Sequence, residues 1–228
     1  MKKIIFFSII LIFLSCVVRK NFNNSSEIYS PLVLDTILEK NNPKNLDFSK
    51  PQLFIDTTKN SKYYTRFINW KPKKSINKYI IDLSEKFNSK TAIPNEIPEV
   101  WISLEKLNDD FVIYSPCDGN TFGLQLINNS IVLLERHETS YNLVYQVDNN
   151  NELILKLKTG ISESQEAKIS IKKTRKEHIY LLNYSNKIYS FKKYITPQKN
   201  IREFNIIVNH CPTDKLPEYD FETNTKNE

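Results

Sequence analysis

Two short stretches far apart in the chain, Cys117-Asp118 and His210-Cys211, hold the residue types nearest to a reactive set. Brought together they offer a thiolate with an imidazole base, or ligands for a tetrahedral metal. Neither C-x-x-C nor H-x-x-x-H spacing supports those uses, and joining the two thiols would remove both thiolates. Asp109-Asp110 and Asp118-Gly119-Asn120 are the other acidic candidates, suited in principle to calcium or to acid–base work. No third ligand follows either pair at a regular spacing, and loop aspartates are common turn formers. His137 and His178 have no partners in sequence. The glycines are three in number, Gly119, Gly123 and Gly160. Neither G-x-G-x-x-G nor G-x-x-x-x-G-K-[ST] can be written with them, which excludes phosphate-cradling loops of those kinds. H-E-x-x-H and G-x-S-x-G are absent as well. The sequence therefore assigns no catalytic, metal-binding or cofactor-binding residue, and it implies no cofactor.

The first sixteen residues carry a different kind of chemistry. Met1-Lys2-Lys3 is a short basic start, Ile4 to Leu14 is apolar except for Ser8, and Ser15-Cys16 comes next. Eleven helical residues rise about 16 Å, roughly half of a hydrocarbon core, so the run has the proportions of a secretory signal peptide and not of a membrane span. Phe13-Leu14-Ser15-Cys16 resembles the lipobox of bacterial lipoproteins, with Phe13 where the usual Leu stands. The resemblance implies cleavage before Cys16, acylation of Cys16 and a membrane-held mature chain, since more than one acyl chain gives a stable anchor. Val17, where some inner-membrane lipoproteins carry Asp, points by the same analogy to the outer membrane. The absence of an acidic cluster in Val17-Val18-Arg19-Lys20 points to its periplasmic side.

Behind this anchor the chain divides by composition. Residues 1–15 read as the signal peptide and 16–30 as a polar, Asn/Ser-rich tether. Residues 31–98 are a mixed, helix-containing segment, residues 99–212 form a β region on which that segment is expected to pack, and 213–228 are an acidic tail. Within the mixed segment, Ser75 as N-cap followed by Ile76, Tyr79, Ile80, Leu83 and Phe87 makes one apolar helical stripe. Leu32 to Glu39 reads as a short helix, Leu53-Phe54-Ile55 and Tyr63 to Trp70 as strands, and Thr91 to Glu99 as a connector. Cleavage removes Lys2 and Lys3 from 32 basic residues, leaving 30 against 26 acidic ones, a net of +4. The basic residues are unevenly spread: Lys168 to Arg202 holds ten Lys or Arg and one acid, Glu177. That stretch reads as the solvent face of strands, with lysines guarding edges, and alternatively as a contact for an anionic partner. Nucleic acid is not an expected partner of an exported lipoprotein.

From Phe111 the apolar period changes from 3.6 to 2. Strands are expected at Phe111 to Tyr114, Phe122 to Ile127, Ser130 to Arg136, Leu143 to Val147, Leu153 to Lys158, Lys168 to Lys172, His178 to Tyr184, Lys187 to Tyr194 and Phe204 to Asn209. Leu143, Tyr145 and Val147 are read on one face. Asn and Asp pairs between strands can turn hairpins in place of glycine. The fold class is mainly β, α+β over the whole chain. It is an antiparallel meander of eight or nine strands, and closure into a barrel, which removes edges, is preferred to a sandwich. Trp101 ahead of the first strand resembles the arrangement in lipocalin-like barrels, where a Trp ring plugs one end, although the Gly of the Gly-x-Trp motif is Glu99 here. In an exported chain, Cys117 and Cys211 are most simply one disulfide, and in a closed meander of this order they would staple the seam between first and last strands. Tyr180, Tyr184, Tyr189, Phe191 and their neighbours suit either the lining of an apolar ligand site or the filling of a core, and the many Leu and Ile residues suggest a filled interior over an open one. The reading that results is a lipid-anchored, non-enzymatic binding or interaction module, its partners the membrane through Cys16 and an envelope protein or polymer. The alternatives are a carrier of a small apolar ligand and an envelope hydrolase.

Overall fold

From the first described strand the chain runs β1 (Gln52–Asp56), α1 (Lys62–Ile68), α2 (Lys78–Lys86), β2 (Val100–Leu107), β3 (Asp110–Ser115) and β4 (Gly123–Ile127). It continues through β5 (Ser130–Leu134), β6 (Thr139–Asn149), β7 (Leu153–Lys158), β8 (Glu166–Lys173), β9 (Tyr180–Asn186) and β10 (Ser190–Pro197). A 3-10 turn (Gln198–Glu203) then leads into β11 (Asn205–His210). This computed structural model describes residues 47, 49–70, 78–89, 91–135, 137–159, 166–213, 218, 219 and 221. The expected leader with Cys16, the tether, the helix at Leu32 to Glu39 and the cap at Ser75 lie outside the described residues.

Strands β4 to β10 form an antiparallel meander, and β2 pairs with β10 on one side and β4 on the other, closing an eight-stranded barrel. Closure, and not a sandwich, is how the meander hides its edges. Inward positions follow the alternation: Leu153, Leu155 and Leu157 of β7 and Ala167, Ile169 and Ile171 of β8 are buried together, with Leu124, Leu133 and Leu182. Strand β6 departs from a simple alternation. A register shift between Val144 and Gln146 inserts one extra residue, and a bulge of this kind exchanges the two faces. Leu143 therefore faces outward under Ile80 and Leu83 of α2, while Val144 and Val147 both face the barrel core. The single face expected for Leu143, Tyr145 and Val147 is corrected accordingly. Turns rest on asparagine as expected: Asn108 and Asn128 both have positive φ, 54° and 52°.

Strand β2 belongs to two sheets. Its first residues, Val100–Ile102, pair with β4, and its last, Glu105–Leu107, pair with β3. Beyond β3 the sheet continues to β11, which runs parallel to it, and then to antiparallel β1. This three-stranded annex and the outer face of β2 share a core of Phe54, Ile113, Ile206 and Val208, covered by Tyr64 and Phe67 of α1. The expectation of a strand at Tyr63 to Trp70 is corrected: residues 62–68 are helical. The Ser61 hydroxyl caps that helix by accepting from the N–H groups of Tyr63 and Tyr64. Tyr64, fully buried, donates its hydroxyl to the carbonyls of Asp56 and Phe204, at 3.1 and 2.6 Å.

The fork in β2 is bridged by residues 116–122. Gly119 has φ 84°, a left-handed conformation that glycine adopts without strain. Gly123 lies against the Trp70 ring, and a Cβ there would stand 3.0 Å from it.

Candidate ligand site at the barrel mouth

The two ends of the barrel differ in what fills them. At the end carrying the β4–β5, β6–β7 and β8–β9 turns, Trp101 is buried and meets Tyr180 edge-on at 5.0 Å. Its indole N–H donates to the Pro98 carbonyl at 2.8 Å, and Ile93 and Ile97 pack over the same cluster. The Trp101 ring thus fills this end of the barrel core. It does so from within the first barrel strand, not from ahead of it.

Four positions along β2 the inward register reaches Glu105. On its neighbour β10, Lys193 stands two positions before Ile195 in the same register. The ammonium of Lys193 is 3.7 Å from the Glu105 carboxylate and 5.6 Å from the centre of the Phe122 ring. Burial pushes the Glu105 carboxyl up, and Lys193 partly offsets that shift by favouring the charged form. Both groups face a cavity of about 470 Å³ that opens where β2 leaves β4 for β3. Its other walls include Ser103, Phe122, Glu135 and Phe191 from the barrel and Tyr114, Tyr219 and Phe221 from the annex side. A second, more polar hollow of about 390 Å³ shares Glu135 and Tyr189 with the first and adds Glu138, Asn142 and Asn186. Between them the rings of Tyr184, Tyr189 and Phe191 lie nearly parallel. Tyr184 is 5.4 Å from Tyr189 and 5.1 Å from Phe191, with interplanar angles of 28° and 12°. Phe191 also meets Phe122 edge-on at 5.8 Å.

One wall of the cavity is fixed by residues from the acidic tail. The Glu218 carboxylate accepts from the Tyr114 hydroxyl, from the backbone N–H of Asp118 at 3.2 Å and from Asn209 Nδ2 at 3.3 Å. The Tyr114 hydroxyl in turn accepts from the Tyr219 N–H at 3.0 Å. Burial, reinforced by the Glu218 acceptor, pushes the Tyr114 phenol up to about 12. This tyrosine is thus a neutral hydrogen-bond donor throughout the physiological range.

Cys117 and Cys211 are at disulfide distance, with Cα atoms 5.5 Å apart. Their pairing does not staple the barrel seam. The seam is β2 against β4, and the cysteines follow the ends of β3 and β11, parallel neighbours in the annex. The expected position is corrected because the first period-2 strand read from the sequence, β3, lies outside the barrel wall. His210 faces away from any thiolate role, its Nδ1 3.4 Å from the Tyr63 hydroxyl. His178 sits between Glu177 and Glu203, at 3.3 and 3.6 Å. Asp109 and Asp110 are exposed on the β2–β3 turn. Among the described residues no group of three or more His, Cys, Asp or Glu converges as metal ligands would.

Sequence reasoning missed Glu105, Glu135 and Lys193. A signal was present for Lys193 alone: counting by twos from Phe191 places it on the inward face with Ile195. Chemically, the mouth offers aromatic walls for an apolar body and one ion pair for a polar end. Such a mixture is typical of sites that orient small molecules. Compared with protein-family models, with curated proteins and with solved structures, the chain has no match.

Proposed function

We propose that this protein is a lipid-anchored component of the bacterial cell envelope, held through Cys16, that binds a small amphipathic molecule in the mouth of its barrel without transforming it. The observation that carries the binding reading is the Glu105–Lys193 pair turned into a cavity walled by Phe122 and Phe191. A charged pair facing inward has no packing advantage over apolar residues of similar size, so its presence beside an aromatic hollow fits recognition of a polar group. The anchor reading rests on the Phe13-Leu14-Ser15-Cys16 pattern and its resemblance to a lipobox. Outer-membrane attachment with the domain in the periplasm rests on the same resemblance.

Binding is tested with N-phenyl-1-naphthylamine, an amphipathic dye whose fluorescence rises in apolar surroundings. Saturable enhancement by the wild-type protein, reduced at least about tenfold in affinity by Phe191→Ala, is the expected result; the factor corresponds to about 1.4 kcal/mol, less than a buried ring contributes. Equal enhancement by wild type and Phe191→Ala would place the dye elsewhere and remove the mouth as the site. The anchor is tested separately. Metabolic labelling with a radioactive fatty acid should mark the wild-type chain and vanish in Cys16→Ala, and persistent labelling would overturn acylation at Cys16.

A further inference from the structure

Ten of the basic residues fall between Lys168 and Arg202, and edge protection does not account for those on the strands. Strands β7, β8, β9 and β10 each have a hydrogen-bonded neighbour on both sides, so this wall has no edge to guard. Its outer face is nonetheless basic. Lys156 of β7 and Lys168 of β8 are direct cross-strand partners, an arrangement that costs stability through like-charge repulsion. Lys168, Lys172, Lys187 and Lys192 are exposed; among the described residues Lys168, Lys172 and Lys192 make no ion pair, and Lys187 shares the charge of Glu166 with Lys158. Glu166, the acid on this face, is taken by Lys158. A second, independent feature stands at the end of the same wall. The β9–β10 hairpin carries Ile188 at its tip, 91% exposed, with half-exposed Tyr189 beside it and Lys187 before it. Ile188 is held out in water between Lys187 and Lys192, while the Tyr189 ring lies stacked on Tyr184 at the mouth. An aliphatic tip flanked by lysines is suited to shallow insertion among lipid headgroups.

We infer that the outer wall of β7–β10, led by the Ile188 tip, docks on the phosphate-bearing headgroups of an anionic membrane surface. The lysines supply attraction to the surface charge, and Ile188 supplies apolar contact at the headgroup boundary. A soluble polyanion would satisfy the lysines alone and leave Ile188 unexplained, which is why a lipid surface is the occupant chosen. The inference does not depend on acylation of Cys16 or on a ligand in the mouth.

The test uses residues 17–228, a chain that lacks the first sixteen residues and keeps every described strand and helix. Its co-sedimentation is measured with vesicles of phosphatidylcholine alone and of phosphatidylcholine mixed with phosphatidylglycerol. Binding to the mixed vesicles alone, falling steeply with added salt, is the expected result. Lys168→Gln and Lys192→Gln should each weaken it about fivefold. Ile188→Ser should weaken it roughly tenfold, whereas Lys199→Gln, an exposed lysine in the 3-10 turn, should leave it unchanged. These sites are exposed, and matching melting curves confirm that each variant folds. Equal binding to neutral and anionic vesicles overturns the inference, and so does a Lys199→Gln effect as large as that of Lys168→Gln. Capture by soluble polyphosphate with no sedimentation on vesicles overturns the choice of a lipid surface.

Discussion

The two ends of the barrel are built from the same pair of strands and reach opposite chemistry. Where β2 meets β10 near the plugged end, the inward register places Trp101 and Ile195 in a sealed apolar cluster. A few residues further along the same register stand Glu105 and Lys193, with a cavity in front of them. The β2–β10 ladder runs from Trp101 opposite Pro197 to Leu104 opposite Tyr194 and ends there, one residue short of Glu105. The other edge of β2 changes partner over the same stretch, passing from β4 to β3, and so opens the wall. The comparison teaches that a barrel can separate stability from recognition along one strand, by filling one end and forking at the other.

The largest test of that separation is Trp101→Ala, which removes the plug. A loss of about 3–5 kcal/mol is expected from a cavity of that size, measured by urea denaturation. A loss below about 1 kcal/mol would mean that the plugged end does not carry the stability assigned to it. Next in size is the cross-link. Cys117 and Cys211, at disulfide distance, are 94 positions apart, and a bond closing a loop of that length gives up to about 4.7 kcal/mol by chain entropy. Paired Cys117→Ser and Cys211→Ser changes should therefore lower the urea midpoint markedly. The barrel core should remain cooperative, because the bond ties β3 to β11 and not one barrel strand to another. Limited proteolysis would locate the loosening, expected first in the annex and the 116–122 bridge.

The smallest effect concerns the mouth pair. Burial raises the folded-state pKa of Glu105 above its ordinary value of 4.5, against the pull of Lys193. A carboxyl raised in the native state holds its proton longer there than in the unfolded chain. Its contribution to stability is thus complete below the unfolded pKa and is lost as pH climbs through the folded one. Lys193→Met removes the opposing charge and should lift the folded pKa further, so that stability falls more than in the wild type as pH rises above the ordinary carboxyl value of 4.5. Adding Glu105→Gln should flatten that difference. A slope unaffected by Lys193→Met would show that the pair does not interact in solution.

How much of each strand is legible in the sequence depends on what it has on its two sides. Strands β7 and β8 face the core on one side and water on the other, so their alternation is plain. Strand β2 is covered on both faces, by the barrel interior and by the α1 layer. Val100 to Leu104 is buried throughout, and a continuous apolar run gives no period to count. Helix α1, KYYTRFI, is rich in residues that favour strands; its capping serine, Ser61, is the stronger clue and outweighs them. The mouth is hidden for a different reason. Glu105 and Lys193 meet only because β2 closes the barrel against β10, and a pairing between distant segments leaves no mark in either one.

The double use of β2 has a consequence for how the chain must be made. As synthesis proceeds from the N-terminus, β2 can meet β3 and β4 at once, but its partner β10 ends at Pro197 and the partner of β1 ends at His210. Through most of synthesis the future closing strand has an open edge, and β1 has no neighbour at all. Open edges of apolar strands invite pairing with other chains. A nascent chain halted before Tyr189 would have every barrel strand except the one that closes the ring, and it should be recovered as aggregate. Solubility, on this view, is acquired abruptly, once β10 and β11 have been added.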